Sequence, residues 1–351
     1  MIIKGEVFAM GQTISRRGFA LGVTSGLMAG APLGASRAQG ARLKTTIANA
    51  AGNLNLAVQE LLRQQGYMEE FGLEPNFLNV ADGAKILGGL LGGDLDSSMM
   101  SGFGQVFPAI EKGAKLKIIA ATSLSPSLAL FTSKPDIKSL KDLEGRVVGT
   151  GSLGALLHQL VVALLQKNGV DISKVRFVNI GASGDVFRAT TMGTVDAGTG
   201  EAAILEDMSP YTVRLIPGGN MTTELSEYTY QAAWTTDRVI ETKRDILVRS
   251  LAAQAKLYRF LHTPESREPF LKARAKVLPT SPASEAIAQW NYIQHYKPYA
   301  TGLLMSEERF RYMQQLNVDL GVQSAVMPVA RVADMSLAQE AIALLEKSEK
   351  K

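Results

Sequence analysis

Two stretches of this sequence, Phe77-Leu78-Asn79-Val80 and Gly93-Asp94-Leu95-Asp96, return 100 positions later as Phe177-Val178-Asn179-Ile180 and Gly193-Thr194-Val195-Asp196. In both copies a helix-length spacer separates an apolar, strand-like run from a glycine turn and a second short strand. Chance similarity between two strand–helix–strand units is the alternative, but the identical offset favours two related units. The sequence therefore predicts two similar lobes.

Strand-like and helix-like runs alternate around these stretches, which is typical of parallel strand–helix–strand units and an α/β fold. Strands are predicted at residues 44–48, 73–80, 95–99, 117–121, 146–149 and 175–180, and helices at 56–65, 84–91 and 156–167. Thr229–Trp234 is predicted to be a strand that returns to the first lobe. Residues 236–351 are predicted to be helices that pack on that lobe. Crossings near Leu128–Phe131 and Tyr230–Ala233 would be the hinges of a closing cleft.

The N-terminal segment has the order of a twin-arginine export signal. Ser15-Arg16-Arg17-Gly18-Phe19-Ala20-Leu21 precedes a weakly apolar run to Ala35, and Ser36-Arg37-Ala38 offers small residues for cleavage after Ala38. The run is short and diluted by glycine and polar residues, so it is a poor membrane span. We therefore predict a signal peptide over residues 1–38 and export to the periplasm, with either Met1 or Met10 as the start.

Charge and cysteine content exclude several classes of protein. The chain carries 37 Lys and Arg against 33 Asp and Glu, but residues 1–38 hold four of the basic residues and one acid, so the remainder carries +4 − 3 = +1. No basic stripe with interleaved aromatics remains to bind a nucleic acid backbone. With no cysteine, the chain has no disulfide, no thiolate metal site and no lipid-acceptor cysteine.

Glycine-rich turns follow several of the predicted strands. Five of them stand in corresponding places: residues 52–54, 82–84, 102–104, 151–154 and 181–184. Ligands of open parallel sheets bind beyond the carboxyl ends of the strands, where helix N-termini offer free N–H groups to an anion. A single loop of this kind is no more than a tight turn, but the five together predict an anion-binding cleft between the lobes.

Several motifs between Lys44 and Trp234 resemble the substrate-binding proteins of ABC importers for nitrate, sulfonates, taurine and thiamine-pyrimidine precursors. They include the turn Ser101-Gly102-Phe103-Gly104, the stretch Ile137–Gly149 (IKSLKDLEGRVVG) and Met192-Gly193-Thr194-Val195-Asp196-Ala197. The resemblance implies a two-lobed type II periplasmic-binding-protein fold, with lobe 1 over residues 39–129 and 232–351 and lobe 2 over residues 130–231. It also implies capture of one small ligand as a monomer, and a permease with its ATPase as partners.

The resemblance further implies which residues line the cleft. From the first lobe these are Asn53, Leu54, Gly83, Ser101, Gly102, Phe103, Thr122 and Ser123. From the second lobe they are Ser152, Leu153, Ser183, Asp185 and Glu201. Backbone N–H groups and hydroxyls would hold an anionic head, and Leu54, Phe103 and Trp234 would pack on the body of the ligand.

Two acidic residues depart from a simple anion site. Asp82 stands in the loop before the second predicted helix, and Gly198-Thr199-Gly200-Glu201 replaces an aromatic or proline-bearing motif. Carboxylates buried beside an anion are costly without a cation. We therefore expect a zwitterionic or nitrogen-bearing ligand whose cationic or amino end meets Glu201. The alternative is an exposed Glu201 that caps a helix.

No catalytic constellation stands out, so we expect neither an enzyme nor a cofactor. The three histidines, His158, His262 and His295, lack metal-ligand spacing, and the chain has no nucleophile elbow or phosphate loop. Pyrimidine-synthesising enzymes of the same superfamily use a cysteine-rich iron-binding segment that is missing here. Two alternatives stay open: such an enzyme, and a sensor that docks on a membrane receptor instead of a permease. The identity of the ligand also stays open.

Overall fold

Strands and helices alternate along residues 41–80 and 83–350, the residues that this computed structural model describes. The strands are β1 (Leu43–Ala50), β2 (Leu73–Val80), β3 (Ser97–Ser101), β4 (Leu116–Ser123), β5 (Leu128–Thr132), β6 (Val147–Thr150), β7 (Arg176–Asn179), β8 (Ala197–Glu201), β9 (Arg214–Asn220) and β10 (Gln231–Thr236). The helices are α1 (Asn53–Gln64), α2 (Tyr67–Glu70), α3 (Gly83–Gly92), α4 (Val106–Glu111), α5 (Leu156–Lys167), α6 (Ser183–Thr191), α7 (Met221–Glu224), α8 (Asp237–Leu261), α9 (Arg267–Val277), α10 (Ala283–Tyr296), α11 (Glu307–Asp319), α12 (Val329–Val332) and α13 (Ser336–Glu349). The predicted signal peptide lies outside the described residues.

The strands form two five-stranded sheets with the same topology. The first sheet has the order β2-β1-β3-β10-β4 and the second the order β7-β6-β8-β5-β9. In each sheet the first three strands are parallel, and the fourth runs antiparallel to its neighbours. That fourth strand follows a crossing from the other sheet: β5 comes from β4, and β10 comes from β9. The predictions of parallel strand–helix–strand units and of a strand that returns to the first sheet are confirmed.

The repeated glycine and aspartate have the same structural role in both sheets. Asp96 accepts a hydrogen bond from the backbone N–H of Thr46 at 2.9 Å, and Asp196 accepts one from Val147 at 2.9 Å. Gly93 and Gly193 precede them with φ of +90° and +70°, a conformation that glycine adopts without strain. Each pair joins the start of the third strand of its sheet to the first strand.

The crossings between the sheets lie next to the predicted hinge positions and slightly before them in sequence. Leu128–Phe131 lies within β5, where every side chain is buried and the strand pairs with both β8 and β9. Ala232 and Ala233 lie within β10 of the first sheet. A strand held on both sides cannot bend freely, so the crossings are residues 124–127 and the segment from α7 to Tyr230. The exact lobe boundaries remain a prediction.

The C-terminal helices pack on the first sheet and reach the second. Helix α9 packs against α1, which follows the first strand of the first sheet, and α13 packs against α8. Helix α10 packs against both α9 and the 3-10 turn Ala202–Glu206, which follows β8 of the second sheet. None of the helices in the described residues is long and apolar enough to cross a membrane.

Candidate functional site

A cavity of about 220 Å³ opens where α10 meets the second sheet. Its walls come from the start of α1, the first two turns of α6, the end of β8 with the turn that follows, and helices α9 and α10. For comparison, a cavity of about 150 Å³ holds one benzene ring. The cavity therefore suits a solute with one small ring or a short chain and polar ends.

Two helices of eight or more residues begin at this cavity. Asn53 is the first residue of α1, and Ser183 and Gly184 are the first two of α6; all three line the wall. The residues before these helices, Gly52 and Ala182, have no side-chain acceptor to cap the first-turn N–H groups. These donors and the helix dipoles can therefore act on an anionic group.

Glu201 brings a carboxylate to the same cavity. It is the last residue of β8 and is partly buried, and its Oε2 accepts a hydrogen bond from Gln289 Nε2 at 2.5 Å. Burial raises the pKa of this carboxyl, although the bond from Gln289 and the charge of Arg274 favour the ionised form. Among the described residues, no donor bonds to its other oxygen, Oε1, which is therefore open to a ligand.

A buried arginine lies behind that carboxylate. Arg274 on α9 donates from Nε to Gln289 Oε1 at 2.7 Å and pairs through Nη2 with Glu285 Oε2 at 2.8 Å. Arg274 and Gln289 are each only 2% exposed. The row Glu285–Arg274–Gln289–Glu201 alternates acceptors and donors, and all four residues line the cavity.

Aromatic side chains form the apolar part of the wall. The rings of Phe187 on α6 and Tyr211 meet edge to face with centroids 5.3 Å apart, and Phe131 of β5 supports Phe187 from behind at 5.5 Å. Burial and the nearby carboxylates of Glu285 and Glu201 raise the pKa of Tyr211, so its hydroxyl stays protonated. These rings can pack on the body of a ligand and face its cationic end.

The charges of the wall are arranged to receive two kinds of ligand group. Arg274 is paired with Glu285, and Arg188 is paired with Asp185, so neither arginine is left without a counter-charge. Two carboxylates of the wall have no ion-pair partner among the described residues: Glu201, which has an open oxygen, and Asp207, which accepts hydrogen bonds from Ser209. The arrangement can therefore take an anionic group at the helix N-termini and a nitrogen donor at Glu201.

The structure brings three of the residues predicted from the sequence to this cavity: Asn53, Ser183 and Glu201. Leu54 is half-buried beside Asn53, and Asp185 pairs with Arg188 on α6. Ser152 and Leu153 are exposed, with Leu153 67% exposed, and Gly83 begins α3. Asp82 lies outside the described residues.

The other predicted residues were expected to line the cleft, but they lie in the protein interior. Five of these side chains are buried: Ser101, Phe103, Thr122, Ser123 and Trp234. The Trp234 indole donates to Ser101 Oγ at 2.8 Å, and Phe103 packs edge to face on Phe107. Gly102 packs against the Leu156 side chain of α5, which fills the space in front of the loop. In this conformation Phe103 and Trp234 stabilise the first lobe and do not line the cavity.

Sequence reasoning missed the contributions of the C-terminal helices. Arg274 and Gln289 were assigned only to helices that pack on the first lobe, and Phe187 and Tyr211 were not singled out. Nothing in the local sequence around Arg274 or Gln289 marks a ligand site. Their role comes from the contact between α10 and the turn after β8.

The described residues hold no group of three or more His, Asp or Glu side chains that could bind a metal ion. None of the three histidines lines the cavity. His158 accepts a hydrogen bond from the backbone of Gly154, His262 accepts one from Tyr299, and His295 contacts Glu206.

Comparison with solved structures defines the class of fold. The periplasmic aliphatic sulphonate binding protein SsuA from Escherichia coli aligns with a TM-score of 0.66 at 17% identity, over 83% of this chain and 92% of that one. The periplasmic nitrate-binding protein NrtA from Synechocystis aligns with a TM-score of 0.68 at 12% identity, over 87% of this chain and 89% of that one. The desulfurization enzyme DszB aligns with a TM-score of 0.60 at 13% identity, over 86% and 99%.

The two-sheet α/β architecture is thus the periplasmic-binding-protein fold, and the predicted fold class is confirmed. The NMT1/THI5-like family model matches residues 61–261, more than half of the chain. The chain belongs to the NMT1/THI5-like family. No curated protein matches the chain significantly.

Proposed function

We propose that this protein is a solute-binding protein of an ABC importer that captures a small organic anion or zwitterion outside the cytoplasm. The family and the fold support this function, as do the structural likeness to sulphonate- and nitrate-binding proteins and the size of the cavity. A permease with its ATPase would be the partners, and the protein would act as a monomer. The twin-arginine segment within residues 1–38 supports a periplasmic location.

The observation that carries the proposal is the cavity that joins two helix N-termini to the carboxylate of Glu201. An anionic head would lie at the starts of α1 and α6, and an ammonium or amino group would meet Glu201. Phe187 and Tyr211 would cover the middle of the ligand. A zwitterion satisfies both ends at once, whereas an inorganic anion leaves the carboxylate unpaired.

The first experiment is thermal unfolding of the purified protein against small organic anions, zwitterions and pyrimidines. A ligand at 100 times its Kd stabilises the folded state by about 2.7 kcal/mol. At about 2.1 cal/mol/K of unfolding entropy per residue, this raises the Tm by about 4 °C. A shift without consumption of the compound supports a binding protein. No shift across the whole panel contradicts the proposed ligand class.

Replacement of Glu201 tests the nitrogen-bearing end of the ligand. Glu201→Gln should weaken a zwitterion by about 1.5–3 kcal/mol, the size of a lost charge-assisted hydrogen bond. The control is Glu206→Gln, the same change in the adjacent turn at a residue that does not line the cavity. Isothermal titration with 2-aminoethanesulfonate and ethanesulfonate, which differ in the ammonium group, separates the two ends. Equal affinity of the variant and the parent for the zwitterion contradicts the role of Glu201.

An enzyme is the second candidate because the desulfurization enzyme DszB shares the fold. Binding without catalysis is the better supported function, since most of the similar solved structures, including SsuA and NrtA, are binding proteins. Product analysis of each compound that shifts the Tm separates the two: turnover assigns an enzyme. Uptake measurements in a deletion strain separate an importer component from a receptor-docking sensor.

A further inference from the structure

The cavity is shared between two parts of the fold, the second sheet and the C-terminal helices that pack against the first. Glu201 ends β8 of the second sheet, whereas Gln289 lies on α10, which is tied through α9 to α1 of the first sheet. The 2.5 Å hydrogen bond from Gln289 to Glu201 therefore joins the two sheets at the ligand cavity itself.

The orientation of the Gln289 amide is fixed by its other neighbour. Arginine can only donate hydrogen bonds, so Arg274 Nε must face the amide oxygen, at 2.7 Å. The amide nitrogen must then point to Glu201. Glu285 pairs with Arg274 and fixes the guanidinium in turn, at 2.8 Å. Arg274 and Gln289 are each only 2% exposed, so water competes little for these hydrogen bonds.

We infer that Gln289 is the positioning residue for Glu201, holding one carboxylate oxygen across the boundary between the sheets so that the other faces the ligand. This inference rests on the proposed function and names a residue that sets its specificity. With the lobes apart, Glu201 loses its fixed orientation, so recognition of a nitrogen donor and closure of the cleft occur together. Gln289 itself donates to Glu201 and acts on the ligand through it.

The first test needs no ligand. The protein is labelled with ¹³C at the glutamate carboxyl carbons, and the Glu201 signal is identified by its absence in Glu201→Gln. Gln289→Leu should raise the titration midpoint of Glu201, because it removes the donor that favours the ionised carboxylate. Gln294→Leu is the matched control: it makes the same change on the same helix, where Gln294 bonds the Leu261 carbonyl instead.

The second test measures selectivity with the pair 2-aminoethanesulfonate and ethanesulfonate. Loss of the positioned carboxylate should reduce the preference for the ammonium compound roughly 10- to 100-fold in Gln289→Leu and leave it unchanged in Gln294→Leu. Gln289→Met, which keeps the length of the side chain, replaces Gln289→Leu if that variant unfolds. A structural role alone would lower the Tm without changing either the titration or the preference.

The two tests fail in different ways. If Glu201 titrates identically in the parent, in Gln289→Leu and in Gln289→Met, the inference is wrong even if ligands bind. If the titration moves but neither compound binds the parent protein, the positioning of Glu201 stands and the proposed ligand class fails.

Discussion

Gly104 offers a sharp test of how the two lobes meet. A Cβ atom there would lie 2.7 Å from Cδ of Gln159, closer than real side chains approach one another. Gln159 belongs to α5, whereas Gly104 follows β3 of the first sheet, so the contact crosses between the lobes. Gly104→Ala must therefore push the Gln159 amide out of its place.

A displaced Gln159 amide would lose its buried hydrogen-bond partner. Gln159 Nε2 donates to Asn317 Oδ1 at 2.5 Å, and Asn317 Nδ2 donates to the carbonyl of Gly104 at 2.8 Å. Gln159 is 3% exposed and Asn317 is fully buried. An unpaired buried acceptor costs about 1–3 kcal/mol, and overpacking adds about 1–3 kcal/mol. We expect a total loss of about 2–6 kcal/mol.

The assay is calorimetric unfolding of the parent protein, three single variants and one double variant. At about 1.5 °C per kcal/mol for roughly 310 residues, Gly104→Ala should lower the Tm by about 3–9 °C. Gly88→Ala is the control: this exposed glycine of α3 has no atom within 4 Å of the added carbon, so alanine should stabilise the helix by about 0.5–1 kcal/mol. Gln159→Ala provides the third comparison.

The double variant Gly104→Ala with Gln159→Ala decides the cause. Removal of the Gln159 amide makes room for the new carbon, so the double variant should be no less stable than Gln159→Ala alone. Additive losses would refute the reasoning, as would a Gly104→Ala protein as stable as the parent.

Three further predictions concern pH and the crossings. Burial raises the pKa of Glu201 in the folded state, so the free energy of unfolding should fall as the pH rises above the ordinary pKa of 4.5. In Glu201→Gln, urea unfolding at a series of pH values should no longer show this decrease. Burial and then Lys297 lower the pKa of His262 to about 4, so stability should fall as the pH drops from about 6.5 to 4, and His262→Gln should flatten that limb. Arg309 donates to the carbonyls of Leu124 at 3.2 Å and Ser226 at 2.8 Å, and so joins both crossings. Arg309→Met should lower the free energy of unfolding, measured with urea, by about 1.5–3 kcal/mol. An unchanged urea midpoint would contradict a stabilising role of these bonds.

The regular elements could be predicted from the sequence where the pattern is strong. The bounds predicted for residues 73–80 and 156–167 coincide with β2 and α5. Strand β2 is bounded by a glycine turn, and α5 carries Leu157, Leu160, Val161 and Leu164 at helical spacing. Asp96 and Asp196 could be matched by their offset of 100 positions, although the strand N–H that each accepts lies about 50 residues away and could not be read from the local sequence.

The glycine loops show where such reasoning fails. The sequence favoured a ligand at Gly102-Phe103-Gly104, since glycine allows close approach to a backbone. The structure uses that closeness for protein packing: Gly102 receives Leu156, and Gly104 receives Gln159. A glycine-rich loop indicates that other atoms approach its backbone closely, but the sequence does not show whether those atoms belong to a ligand or to the other lobe.

The cavity depends on contacts between segments distant in sequence. Gln289 and Glu201 are 88 residues apart along the chain, and no periodic pattern relates them. The two sheets repeat each other in topology and in the Asp96 and Asp196 bonds, but within residues 41–80 and 83–350 helices α9 and α10 have no counterpart on the second sheet. A duplicated scaffold of this kind would offer two equivalent cleft walls. The C-terminal helices break that equivalence by placing Arg274 and Gln289 behind a carboxylate of the other lobe. Selectivity should therefore change through substitutions in α9 and α10 as well as at Glu201, while substitutions at the repeated aspartates should lower stability, more so at Asp96, which also pairs with Lys243 at 2.6 Å.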